Sequence, residues 1–380
     1  MKVLFSSNIS WSVFNFRSDL LNALKDQGFE VYVVASKDDY SQRLIDQGFH
    51  FKELKVNNNS TNPLMDLILI FNYYRLYKEL KPDIILHNAI KPNIYGTIAA
   101  GILGIPTINN ISGLGTLFIK KSFSTRIAKF LYWISQKFAK VVFFQNPYDL
   151  SLFVEKGLVS KDKAELIPGS GVDINRFSPE NFPKKLPGRF QFLFVGRLLI
   201  DKGIMEYIGA AKELKAKYSN IDFNVLGPFY EDNSTTITRG MLDTWINDKV
   251  INYLGTTDEV EKVFATVDSV VLPSYREGLS KVLIEASSMA LPIITTNVPG
   301  CKDVVVHEET GYLCNPKDEK DLAKKMERMF LLEKPERIVF GRKARERAVN
   351  IFAIDIIVKR YIDTIQNVLK PSRDRVTQKN

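Results

Sequence analysis

The sequence predicts an α/β protein of two doubly wound parallel-sheet domains, and three observations carry that expectation. At 380 residues the chain is longer than one hydrophobic core comfortably serves. Short apolar runs alternate with amphipathic helical stretches along most of its length, as repeated strand–helix units require. Between two such series, Pro179, Pro183, Pro187 and Gly188 fall close together and read as an interdomain linker. The expected domains are residues 1–182 and 188–353.

The elements follow in order. Val3 to Ser7 is a first strand, and Phe16 to Gln27 a helix stopped by Gly28. Glu30 to Ala35 is a strand, Tyr40 to Gln47 a helix before Gly48, and Phe51 to Val56 a strand. A helix from Pro63 to Leu80 ends at Lys81-Pro82, because the residue before proline avoids the helical region. Asp83 to Leu86 is a strand, Asn93 to Leu103 a helix before Gly104, and Pro106 to Ile111 a strand. Lys140 to Gln145 and Glu165 to Ile167 close the first series. The second runs through strands at Phe190–Val195, Asp222–Leu226, Val250–Leu254, Val270–Leu272 and Ile293–Thr296. A last helix spans Ile354 to Leu369, and the tail 372–380 lacks apolar periodicity and is expected to be disordered.

Composition narrows the class. Hydrophobic residues make up 45% and charged residues 25%, as in ordinary globular proteins. Cys301 and Cys314 give neither a disulfide framework nor metal-ligand spacing, and read as small buried hydrophobes in a reducing compartment. The opening apolar run is too short for a signal peptide, and no stretch has the length of a membrane span.

The net charge of +9 is unevenly placed. From Asp83 to Asp149 there is no intervening acid, while Lys91, Lys120, Lys121, Arg126, Lys129, Lys137 and Lys140 lie in that interval. In the segment 118–144 these cations interleave with Phe123, Ile127, Phe130, Leu131, Tyr132, Trp133, Ile134 and Phe138. Two readings stand side by side: a helix packed on the sheet with solvated lysines, or a helix lying on an anionic membrane surface. Nucleic acid is not expected, since no recognition motif or aromatic stacking platform accompanies the charge.

The stretch from Asp268 to Thr296 is the most informative. A short apolar run stops at Pro273, a polar turn ends in Glu277-Gly278, and a helical pattern then carries Glu285 before the next strand. The turn therefore opens at the carboxyl end of a parallel strand, where open α/β sheets bind ligands. Gly278 admits close backbone approach, and the helix that follows presents its positive end to an anion. Two carboxylates flanking such an anion site suit a ligand bearing both phosphate and hydroxyls, such as a nucleotide sugar. Leu283 and Ile284 read as helix core.

A second phosphate site is suggested upstream. Phe192 to Val195 leads into Gly196-Arg197-Leu198, and Lys202-Gly203 precedes a helix. Arg clamps phosphate oxygens with a planar fork and Lys adds a point charge, so the pair can neutralise a departing diphosphate.

Taken together these motifs resemble the retaining glycosyltransferases of family 4. The matching residues are Gly171-Val172-Asp173 with Phe177, Val195-Gly196-Arg197-Leu198 with Lys202-Gly203, and Leu254-Gly255. The match continues with Asp268, Pro273-Ser274, Glu277-Gly278, Glu285-Ala286 and Gly311-Tyr312-Leu313. The resemblance implies the GT-B architecture, α/β with two Rossmann-like doubly wound domains facing across a cleft. It also implies that the helix at about 354–371 packs back on the first domain, with the linker and this helix as hinges. Arg197 and Lys202 would hold the donor diphosphate with the backbone at Gly196, Gly278 and Leu279. Glu277 would hold the sugar hydroxyls and Glu285 the ribose, with Glu277, Arg197 and Lys202 as the catalytic set. The family is usually described as using front-face displacement, the donor phosphate assisting deprotonation of the acceptor hydroxyl. No cofactor and no metal are expected, and the sequence contains no Asp-x-Asp.

The first half narrows the resemblance. Ile90 to Gly96, Asn110 to Gly115 and Phe14-Asn15-Phe16-Arg17 are similar to bacterial transferases that extend undecaprenyl-diphosphate-linked sugars, N-acetylgalactosaminyltransferases among them. Lys91, Asn93, Gly113, Gly115, His87 and Arg17 are therefore the acceptor-side candidates. The first loop, Ser6 to Ser12, departs from the family in lacking paired glycines, and Asn88 competes with His87 for the place of a family histidine. The resemblance implies a UDP-sugar donor, a lipid-linked saccharide acceptor and a peripheral location on the cytoplasmic face of the inner membrane, reached through segment 118–144. Two other readings stay open: a UDP-sugar epimerase of the same architecture, and a non-catalytic subunit of a glycan assembly complex.

Overall fold

A computed structural model of the chain describes residues 1–56, 62–114, 123–183, 185, 188–229 and 235–370. Two compact units result: Met1–Ser170 together with the segment from Ile354 onward, and Gly171–Ala353.

Unit 1 is a seven-stranded sheet ordered β3-β2-β1-β4-β5-β6-β7. Its strands are β1 (Lys2–Ile9), β2 (Glu30–Ser36), β3 (His50–Glu53), β4 (Ile84–Asn88), β5 (Thr107–Ile111), β6 (Val141–Phe144) and β7 (Ala164–Leu166), all paired in parallel. The crossovers are α1 (Ser10–Asp26), α2 (Tyr40–Asp46), α3 (Pro63–Leu80), a π-turn at Pro92–Gly96 leading into α4 (Thr97–Ile102), α5 (Phe123–Ser135) and α6 (Pro147–Glu155). Strand residues such as Val3, Val33, Ile84 and Phe143 are fully buried, which is why these strands read as unbroken apolar runs rather than alternating ones.

Local chemistry moves several element ends. The loop expected at Ser6–Ser12 is absent: β1 continues to Ile9 and α1 starts at Ser10, not Phe16. Asp38 accepts from the Trp11 amide at 2.8 Å, and the Ser10 hydroxyl donates to the Ser36 carbonyl at 3.0 Å, so the helix start is anchored from the next crossover. The strand expected at Phe51–Val56 is His50–Glu53, and the helix expected from Asn93 divides into the π-turn and α4. The structural description stops short of Gly115, Lys120, Lys121 and the tail 372–380, so those expectations lie outside it.

Unit 2 is a six-stranded parallel sheet ordered β10-β9-β8-β11-β12-β13. Its strands are β8 (Phe190–Val195), β9 (Ile221–Leu226), β10 (Asn252–Tyr253), β11 (Ser269–Leu272), β12 (Ile293–Thr296) and β13 (Gly311–Cys314). The helices are α7 (Ile204–Lys217), α8 (Arg239–Asn247), α9 (Val260–Phe264), α10 (Lys281–Ser288), α11 (Glu319–Leu331) and α12 (Lys334–Arg347). The strand expected at Val250–Leu254 contracts to Asn252–Tyr253, because only these residues pair with β9.

The chain then returns to unit 1 as α13 (Ile354–Leu369). Ile357, Tyr361 and Ile365, spaced for one helical face, join a core with Val13, Leu20 and Phe143. The Tyr361 ring meets Phe143 edge-on at 5.0 Å.

The unit boundary falls at 170–171, upstream of the proline cluster expected to divide the chain at 182–188. The reason is packing: Val172 and Phe177 are buried in the unit 2 core, and the Arg345 guanidinium donates to the Phe177 carbonyl at 3.1 Å.

Candidate functional site

Strand order places the motifs of unit 2. β8 and β11 are neighbours, and the chain leaves them in opposite directions across the sheet, so their carboxyl ends flank the topological switch point. Gly196-Arg197 follows β8, and Glu277-Gly278 follows β11.

Backbone contacts weld these two loops. After Val195 the chain turns tightly, with the Leu199 amide donating to the Arg197 carbonyl at 2.7 Å, and passes through a short 3-10 turn at Ile200–Lys202. Gly203, at φ 78, opens α7, and a Cβ there would collide with the Pro273 carbonyl. The Tyr275 amide donates to the Asp201 carbonyl at 2.9 Å, as does the Ser274 hydroxyl at 3.2 Å. Lys202 is thereby carried to Glu277, and the two side chains form an ion pair. Arg197 is exposed on the same edge and makes no side-chain hydrogen bond or ion pair with the described residues. Glu277 is held from its other side, its amide donating to the Pro299 carbonyl at 3.2 Å.

Gly278 and Leu279 lead to the start of α10. Ser280 makes no side-chain cap, and the first helical bond runs from the Ile284 amide to the Ser280 carbonyl. The amides ahead of Ile284 thus have no partner within the helix, the arrangement that receives anions. Leu283 and Ile284 are fully buried, as their place in the helix pattern predicts.

Glu285 sits among charges that motif reading passed over. Lys281 lies 3.8 Å away on the preceding turn and donates to the Gly171 carbonyl at 2.8 Å. Arg176 pairs with Glu261 at 2.8 Å and acts electrostatically on Glu285. Arg176 stands one residue before the quoted Phe177, but its partner is 85 positions away, a distance no local pattern reveals.

Burial pushes the Glu285 carboxyl up to about 7, Glu261 adds to the rise, and Lys281 and Arg176 oppose it. A carboxyl raised on folding holds its proton more tightly in the folded chain than in the unfolded one. Stability is therefore greatest below the ordinary carboxylate range, declines as pH climbs to about 7, and is level above that. Glu285→Gln is expected to flatten this dependence and to exceed the parent at pH 8 by on the order of 3 kcal/mol. Identical pH profiles of the two unfolding temperatures would discard this account of Glu285.

The described acceptor-side candidates of unit 1 fall in four places. His87 is buried: Nε2 lies 2.9 Å from the Tyr77 hydroxyl, and Nδ1 lies 3.0 Å from Asn109 and 3.1 Å from Thr97. Burial lowers its pKa to about 4, so it is a neutral part of the scaffold with both nitrogens engaged. Lys91 pairs with Asp66 at 3.0 Å, apart from the others. Arg17 and Asn93 are buried beside Asn88 and Asn110, at the carboxyl ends of β4 and β5. Gly113 follows β5 with φ 126.

Two doubly wound parallel-sheet units are the GT-B arrangement. The family described as "Glycosyl transferases group 1" matches residues 177–347, and "Glycosyl transferase 4-like" matches residues 2–146. The chain is a glycosyltransferase of this family 4-like, group 1 kind. It is 28% identical, over 97% of its length and 100% of the relative, to the N,N'-diacetylbacillosaminyl-diphospho-undecaprenol alpha-1,3-N-acetylgalactosaminyltransferase of Campylobacter jejuni. It is 26% identical, over 93% of each chain, to the capsular polysaccharide biosynthesis glycosyltransferase CapM of Staphylococcus aureus. Among solved structures, Anabaena HepE in complex with UDP-glucose superposes with a TM-score of 0.78, at 18% identity over 97% of this chain and 100% of that one.

Proposed function

We propose that this glycosyltransferase moves an N-acetylhexosamine or hexose, with retained configuration, from a UDP-sugar to a polyprenyl-diphosphate-linked saccharide in bacterial surface polysaccharide or glycoprotein glycan assembly. The observation that carries the reading is the pairing of Lys202 with Glu277 at the unit 2 switch point, where the exposed Arg197 also follows β8. Arg197 and Lys202 supply positive charge where a diphosphate leaves, Glu277 accepts hydrogen bonds from the sugar hydroxyls, and Glu285 meets the ribose. Lys202 exchanges its Glu277 partner for phosphate oxygens as the donor arrives. In the transfer step the anomeric carbon–phosphate oxygen bond breaks and a bond to the acceptor hydroxyl oxygen forms. The hydroxyl proton passes to the departing phosphate. The named activities of the Campylobacter and Staphylococcus relatives support the lipid-linked acceptor and the surface-polysaccharide setting, and the UDP-glucose complex of HepE supports the donor.

Peripheral attachment to the cytoplasmic face of the inner membrane belongs to the same proposal. No described helix is long and apolar enough to cross a membrane. Yet α5 exposes Ile127, Phe130 and Trp133 while burying Tyr132, and Lys137 stands 3.4 Å over the Trp133 ring. Such a helix has both an inward face and an outward apolar one ringed by cations. Helix α3 of the same unit exposes Leu64, Met65, Leu67, Ile68 and Phe71.

The deciding experiment incubates the protein with a panel of UDP-sugars and a defined undecaprenyl-diphosphate-linked sugar, followed by mass analysis. One added hexose or N-acetylhexosamine on the lipid is the expected product. Isomerised UDP-sugar formed without acceptor would instead establish an epimerase. For the membrane, sedimentation with anionic liposomes is expected, and neutralising Lys120, Lys121, Arg126 and Lys129 should release the protein.

A further inference from the structure

We infer that the carboxyl edge of β1, β4 and β5 in unit 1 holds a binding site for a phosphate oxyanion, with the Arg17 guanidinium as its cationic floor. The assignment of a source for that phosphate rests on the proposed function; the site itself rests on geometry.

Arg17 lies on the buried stripe of α1, in line with Ser10, Val13, Leu20, Leu21 and Leu24, and is 3% exposed. Arginine in such a stripe normally has a carboxylate partner. This one forms no ion pair with the described residues; its single side-chain bond runs from Nη2 to the Asn88 Oδ1 at 3.3 Å. Nε and Nη1 are buried without a partner. A guanidinium removed from water and left uncompensated is among the costliest arrangements in a folded chain.

The surroundings are polar and equally unsatisfied. Asn8 and Asn93 each keep a buried Oδ1 without a partner, and the Tyr361 hydroxyl lies beside the Asn110 side chain within reach of the Arg17 charge. A half-turn of a carboxamide offers N–H in place of oxygen, so these groups can donate to an anion as readily as accept. β1 and β4 are neighbours from which the chain departs in opposite directions, so the cluster occupies the switch point of its sheet, as the Lys202–Glu277 pair does in the other. An oxyanion supplies the missing counter-charge and takes up the free donors together.

The first test is calorimetry with inorganic pyrophosphate on the full chain carrying Arg197→Ala and Lys202→Ala, which silences the unit 2 cations. One-to-one binding is expected to persist there and to weaken about tenfold to a hundredfold when Arg17→Met is added. No binding in the double variant, or binding unmoved by Arg17→Met, overturns the inference. Arg17→Met alone is expected to unfold at a higher temperature than the parent, since it removes a buried unpaired charge. If both Arg17→Met and Arg17→Gln fail to fold, the guanidinium is structural and the inference falls. Sugar-transfer kinetics then identify the source. A raised KM for the lipid-linked acceptor alone points to its diphosphate, and a raised KM for the UDP-sugar alone points to the donor. Both unchanged overturns the site. A parent protein that transfers no sugar defeats the proposed function and leaves the calorimetric result standing.

Discussion

Lys202→Ala is expected to lower kcat/KM for sugar transfer by about a hundredfold to a thousandfold, with the unfolding temperature within a few degrees of the parent. The magnitude is that of removing one preorganised charge from a site where negative charge develops. The fold should tolerate the change because the Lys202 side chain keeps 22% of its surface in solvent and bonds only to Glu277. Glu277→Ala is expected to fall as far, through lost hold on the sugar hydroxyls. Because the two side chains contact each other, their losses should not add in the double variant. Circular dichroism and thermal unfolding separate lost chemistry from lost structure. Full activity in both single variants would refute the assignment of this site.

Gly300→Ala is expected to cost about 2–4 kcal/mol of stability and most of the activity. Gly300 has φ 81, and a Cβ there would strike the carbonyl of Glu277. The same turn supplies the carbonyls that accept from the Glu277 and Ser280 amides, so a shift at residue 300 moves the whole β11 loop. Gly28 provides the control: it shares φ 81, but nothing lies within 4 Å of its Cβ position. Gly28→Ala should therefore cost only about 1 kcal/mol, the penalty of a left-handed backbone for an L residue. Equal effects at the two positions would show that close approach to Glu277 is unimportant.

These two sites illustrate which information a linear pattern contains. Strands such as Phe190–Val195 and Val270–Leu272 are readable because a parallel sheet covered on both faces demands unbroken apolar runs. Leu283 and Ile284 are assignable to the core from helical spacing alone. The start of α1 is not, because its anchor, Asp38, belongs to the next crossover. The unit boundary is similarly hidden. Proline is conspicuous at 179–187, whereas the crossing at Gly171 is fixed by Phe352 and Arg345, far along the chain. At the site, Lys202 and Glu277 belong to compact motifs and could be named, though their ion pair could not. Arg176, Glu261 and Lys281 escaped notice because what marks them is a shared buried carboxylate, a property of space and not of order. Arg17 could be singled out by its neighbours in sequence, but its lack of a counter-charge is visible only in three dimensions.

The return of α13 has a consequence for synthesis. Unit 2 is contiguous and owns every residue of its sheet once translation passes Ala353. Unit 1, begun first, stays open along the face that awaits Ile357, Tyr361 and Ile365. On the ribosome the later-made half can therefore mature before the earlier one, whose apolar seam is sealed only when the closing helix emerges.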